Sequence, residues 1–153
     1  MDPVLIGRAA LVAICAAACW FDIRSRIIPN WLTGITFAAG LALAVWQLSP
    51  LGAGMNLLHA GIALLVGMAL FAIRVIGAGD AKFYAGIAAW FPFAEGMKLL
   101  LSVSIAGVVM ILAWFLFRRL RGIPVQRNAA EDSGKFPYAL AIAGGAMVAT
   151  FGW

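Results

Sequence analysis

A chain of 153 residues that is 65% hydrophobic and 11% charged has too little polarity to cover a soluble core of its size. Its mean hydropathy of +1.02 says the same. The net charge of +5 sits in short basic clusters between apolar runs, with no aromatic-interleaved basic face, which argues against a nucleic-acid surface. The sequence therefore predicts a single membrane-embedded domain over 1–153: all-α, polytopic, with about six transmembrane helices.

The first predicted span covers 4–21. It starts Met-Asp-Pro-Val without a basic cluster, so it reads as a retained helix and not as a cleaved signal. Cys15 and Cys19 lie one helical turn apart, a geometry that suits packing better than a disulfide. A zinc site there would need further ligands that are not nearby. Ala9, Ala13 and Ala17 offer a small-residue seam for a neighbouring helix. The loop that follows carries Asp22, Arg24 and Arg26 and closes on Pro29 and Asn30, where proline stops one helix and asparagine suits the start of the next.

The second span is predicted at 31–48, ending in an uncharged turn over 49–52. The third covers 57–73, with His59 near its outer end as an interfacial residue. Gly77-Ala78-Gly79-Asp80 then breaks the chain before a fourth span at 81–93. That span is short for a crossing, so it is tilted, partly unwound or enclosed by its neighbours. A fifth covers 97–117, and the one long hydrophilic segment, 118–135, follows as a loop. The last covers 137–151, with Ala141, Gly145 and Ala149 as a second seam. Trp20, Trp31, Trp46, Trp90 and Trp153 fall near helix ends, as interfacial anchors do.

Basic residues set the orientation. Nine lie after spans one, three and five: Arg24, Arg26, Arg74, Lys82, Arg118, Arg119, Arg121, Arg127 and Lys135. Only Arg8 and Lys98 lie on the other side. The first group is expected in the cytoplasm and both termini outside.

Of six acidic residues, Asp2 is terminal, Glu95 sits in a short outer loop, and Glu131 and Asp132 belong to the hydrophilic segment. Asp22 and Asp80 remain, each at the edge of an apolar run and both on the predicted cytoplasmic side. Ionisable groups at membrane depth are costly and mark function. Each also has a structural reading: Asp80 as a helix N-cap, Asp22 as an ion-pair partner of Arg24 or Arg26.

Their surroundings bear on that choice. Asp22 is followed by Ile28-Pro29-Asn30, and Asp80 stands in Gly77-Ala78-Gly79-Asp80-Ala81-Lys82. Together these resemble the type IV prepilin peptidase family, whose closing helix the stretch from Lys135-Phe136-Pro137-Tyr138 also resembles. Ala139 replaces a more usual glycine there. The resemblance implies an aspartic endopeptidase of the cell inner membrane with Asp22 and Asp80 as the catalytic pair. Its substrate would be a prepilin or pseudopilin, a short basic leader followed by a hydrophobic helix. The chain lacks the CxxC-bearing insertion of larger members, so it resembles the short form of Flp-type (tight-adherence) pilus systems, and N-methylation is not expected. Competing expectations are an archaeal-type preflagellin peptidase, and a small transporter or assembly scaffold using the same aspartates as ion ligands.

Two carboxylates sharing a proton can activate water and polarise a peptide carbonyl without a metal or cofactor, and none is expected. Helix dipoles alone would put the charge on Asp80, at a helix start, and the proton on Asp22, at a helix end. Gly77 and Gly79 are expected to permit unusual backbone angles and leave room for substrate beside Asp80. Lys82 either stabilises the Asp80 charge or marks the interface. Pro29 and Asn30 complete the candidate site, and no nucleic-acid partner is expected.

Overall fold

A computed structural model describes residues 2–121 and 138–152, and every regular element among them is helical. Helix α1 spans Pro3–Ser25, α2 Asn30–Gln47, α3 Pro50–Ala72, α4 Ala78–Ala88, α5 Gly96–Leu120 and α6 Tyr138–Phe151, with a 3₁₀ turn at Phe93–Glu95. The six predicted spans each correspond to one of these helices. Most of the predicted hydrophilic segment, including Arg127, Glu131, Asp132 and Lys135, lies outside the described residues, as do Pro137 and Trp153.

Local chemistry moves several boundaries. Asp2 Oδ1 accepts from Val4 N–H at 2.9 Å and Pro3 occupies the first helical position, which together start α1. Ser49 caps α3 through Gly52 N–H at 3.3 Å with Pro50 next, so the predicted turn over 49–52 is the opening of a helix. Pro29, not Asn30, is the residue before α2, and Asn30 is already helical.

Three helical stretches, Pro3–Ser25, Pro50–Ala72 and Phe93–Leu120, are long and apolar enough to cross a membrane. Much of the apolar surface is uncovered: α5 buries only Leu99 and Ser102 along its 25 residues. Leu51, Leu65 and Leu120 are among the large side chains left exposed. A surface of this kind is matched to lipid and not to water. The fold is that of an all-α membrane protein.

The shortest helix is the central one. Helix α4 has 11 residues, about 16 Å of helix, well below a bilayer's hydrocarbon thickness. It packs against α2, α3 and α6. Ala81, Phe83, Ala85, Gly86, Ile87 and Ala88 are all buried, as befits a helix apolar on every side.

Helix α1 packs through Gly7, Leu11, Cys15, Ala18 and Asp22, a buried stripe at helical spacing. The predicted seam of Ala9, Ala13 and Ala17 is therefore the wrong face, with Ala9 and Ala13 exposed. The α6 seam is where the sequence placed it: Ala141, Gly145 and Ala149 are buried, and a Cβ on Gly145 would fall onto the backbone of Val103 in α5. Cys15 and Cys19 are free thiols in the packing, in line with their sequence reading.

His59 and Trp90 are interior, contrary to expectation. Because α4 ends early, the carbonyls of Ala89 and Phe91 fall inside the protein and need partners. Asn56 Nδ2 donates to Ala89 O at 3.0 Å, and His59 Nδ1 lies 3.0 Å from Phe91 O, with His59 only 5% exposed. Trp90 is half-buried and donates from Nε1 to Thr36 O at 2.9 Å. Trp20, Trp31 and Trp46 do present exposed rings at helix ends.

Candidate active site

The C-terminal ends of α1 and α3 and the N-terminal ends of α2, α4 and α6 meet at one end of the bundle. They surround a cavity of about 790 Å³ lined by Asp22, Pro29, Asn30, Gly77, Gly79, Asp80 and Lys82. Every residue singled out from the sequence as catalytic or site-shaping borders this one space. Arg26, Arg74 and Tyr138 line it as well.

Asp22 ends the buried stripe of α1 and is 7% exposed. Its Oδ2 accepts from the Ala139 N–H, 3.1 Å away in the first turn of α6. The carboxylate thus serves as the cap of a helix 117 positions away, at the end where free N–H groups attract anions. Arg24 does not pair with it; its guanidinium lies over the Trp20 ring at 6.0 Å.

Asp80 lies in the first turn of α4, with Gly77 as the residue before the helix. The Gly77 backbone N–H lies on the side of its carboxylate and favours the charged form. Asp80 is within the first turn and is not the N-cap. Burial first, and then the charge of Asp22, push the Asp80 carboxyl up to about 6, against the opposing Gly77 N–H. The direction is opposite to the one the helix dipole alone implies, because that reading included neither burial nor a second acid. The coupling also shows that the two aspartates, 58 positions apart, feel each other's charge across the cavity.

The glycines act through space and not through unusual angles. Gly77 has φ −74°, open to any residue, but a Cβ there would come within 2.7 Å of Asp80 Oδ2. Gly79 is helical, and a Cβ there would meet Ile28 at an ordinary 3.8 Å. The left-handed conformations belong instead to Arg26 (φ 56°) and Arg74 (φ 62°), which end α1 and follow α3. Lys82 Nζ donates to Asn30 Oδ1 at 3.1 Å, clipping the start of α4 to the start of α2 along the rim.

Arg26, Arg74 and the Ala139 N–H were not foreseen. Nothing in an arginine's sequence context signals a positive φ, and the meeting of α6 with Asp22 depends on tertiary packing. Among the described residues, no three His, Cys, Asp or Glu side chains gather as metal ligands would.

Two acids beside one cavity at the end of an apolar helical bundle are the arrangement a membrane-embedded hydrolase would need. The sequence model of the type IV leader peptidase family matches residues 9–112, more than half of the chain and including both aspartates. The protein belongs to the type IV leader peptidase family and is a peptidase of that type. The match ends before α6, so the likeness of that helix to the family's closing one lies outside it. No curated protein and no solved structure gave a significant match.

Proposed function

We propose that the chain is an aspartic-type endopeptidase that removes basic leaders from Flp-type prepilins or pseudopilins at the cytoplasmic face of the inner membrane. The observation that carries this reading is the shared cavity, in which burial first and the charge of Asp22 second raise the pKa of Asp80. Like charges at close quarters favour the singly protonated pair, whose apparent pKa values belong to both groups.

Of the two carboxyls Asp80, pushed up to about 6 by burial and then by the charge of Asp22, is assigned the acid and Asp22 the base, and the reactive form is the one in which Asp80 carries the proton. Asp22 takes a proton from water while Asp80 donates its own to the scissile carbonyl oxygen, giving a neutral tetrahedral intermediate. Collapse returns a proton from that intermediate to Asp80, breaks the C–N bond, and passes the proton on Asp22 to the leaving amine. Both carboxyls regain their starting states, so the cycle needs no cofactor. Lys82, Asn30, Pro29, Gly77 and Gly79 shape the entrance and leave the reacting atoms to the two acids. N-methylation of the new terminus is not part of this activity.

The cytoplasmic assignment is supported by the nine basic residues predicted on this side against two on the other. The test is coexpression with a prepilin carrying a basic leader, followed by gel shift and mass spectrometry of the product. Asp22→Asn and Asp80→Asn should each abolish leader removal while the protein still inserts in the membrane. Processing that survives either substitution removes that residue from the pair. Pump-like, pH-coupled ion movement without leader cleavage would replace the peptidase reading with transport.

A further inference from the structure

Asp80 stands where two cavities of opposite character meet. The catalytic cavity is bordered by charged groups at the ends of α1, α3 and α4: Asp22, Arg26, Arg74, Asp80 and Lys82. A second, of about 660 Å³, begins at Asp80, Ile76 and Tyr138, which line both, and continues between α3 and α5. Its walls are apolar: Val66 and Leu70 from α3, Leu100 and Val103 from α5, with Ala81 and Ala141 among the residues between them. Along α3 the lining runs back from Leu70 to His59, which at 1.5 Å per residue is about 16 Å, or three helical turns.

This groove is open to the side. Helix α5 packs along α6, with no comparable seam against α3. Val66 is 54% exposed and Leu100 48%. A segment lying in the bilayer can therefore enter laterally, without passing through the polar mouth.

We propose that the groove seats the first three turns of the substrate's apolar segment, directly C-terminal to the scissile bond, and that cleavage is placed by the change from polar to apolar lining at Asp80. The inference rests on the peptidase reading. A substrate that changes from a basic leader to a hydrophobic helix matches the two cavities in order. The leader's charge is excluded from the groove, because an ionised group is costly among apolar walls, and so stays on the water-facing side of Asp80. The peptide bond at that boundary is held against the reacting carboxyl. A lipid chain would fill the same apolar space, but it has no peptide bond to present at the groove's inner end.

The test uses the full chain in lipid nanodiscs and two substrates: a complete prepilin, and a peptide that stops a few residues after the scissile bond. The wild type should prefer the complete prepilin by about tenfold or more in kcat/KM, the scale on which lost remote binding shows in turnover. Val66→Trp and Leu100→Trp, which fill the groove, should bring that ratio close to one. A ratio near one in the wild type, or one unchanged in both variants, overturns the proposal. A photoreactive side chain placed at Val66 provides a readout independent of rate. It should capture the prepilin within its first three apolar turns, and adducts to lipid alone, with prepilin present, overturn the proposal too. Cleavage of neither substrate by the wild type is a different failure, that of the peptidase reading itself.

Discussion

Gly144 and Gly145 are neighbours on α6 with opposite surroundings, and substituting each by alanine should move stability in opposite directions. A Cβ on Gly144 would meet Ala106 Cβ at 3.8 Å, an ordinary contact. The expected effect of Gly144→Ala is the gain in helix propensity, up to about 1 kcal/mol. A Cβ on Gly145 would land on the Val103 backbone, where no rotamer change relieves the clash. Helix α5 would have to retreat along its main seam, at an overpacking cost of about 1–3 kcal/mol that the same propensity gain offsets in part. The propensity gain is common to both, so the two variants should differ by the overpacking cost, about 1–3 kcal/mol, or roughly 2–12 °C in Tm for a chain of this size. Thermal unfolding in one detergent, followed by circular dichroism, measures this directly. Two alanine variants with equal Tm would refute the close approach of α5 and α6.

The raised pKa of Asp80 carries a signed pH dependence. Folding favours its protonated form, so that contribution is complete below the unfolded value of about 3.9. It is lost as pH rises through about 6. Between about pH 4 and 7 the wild type should lose stability relative to Asp80→Asn, which does not titrate; a constant difference across that window would contradict the assignment. Arg74→Gly should raise stability by up to about 1 kcal/mol, because glycine adopts φ near 62° without a Cβ penalty, and a lowered Tm would count against that conformation. Lys82→Met removes only an exposed hydrogen bond to Asn30, so Tm should stay within a few degrees and leader cleavage should persist. Complete loss of cleavage there would bring Lys82 into the chemistry.

Much of this fold was legible because a bilayer leaves few options: six apolar runs became six helices, and both conspicuous acids reached one cavity. The packing face of α1 was present in the sequence as Gly7, Leu11, Cys15, Ala18 and Asp22, and it pointed directly at the aspartate. It was passed over because an alanine-rich helix shows small residues at four-residue spacing on more than one face. His59 and Trp90 were misplaced for a different reason. Their position follows from where α4 stops, and stopping after 11 residues leaves interior carbonyls that only side chains from other helices can satisfy. The raised pKa of Asp80 was illegible because burial and the charge of Asp22 are properties of the assembled cavity.

The buried stripe of α1 also has an electrical consequence. From Asp22 back to Leu11 it runs 11 residues, about 16 Å, with Cys15 and Ala18 sealed between them. Leu11 borders a separate polar cavity at the other end of the bundle, beside Arg8, Glu95 and Lys98. Across this packed length the only ionisable side chain on the α1 stripe is the Cys15 thiol, a poor proton relay, and a bare ion among these side chains would be prohibitively unstable. On the α1 side, the space around the two carboxyls is thus separated from the opposite cavity by packed apolar side chains. Along that helix the bundle acts as an insulator as well as a scaffold.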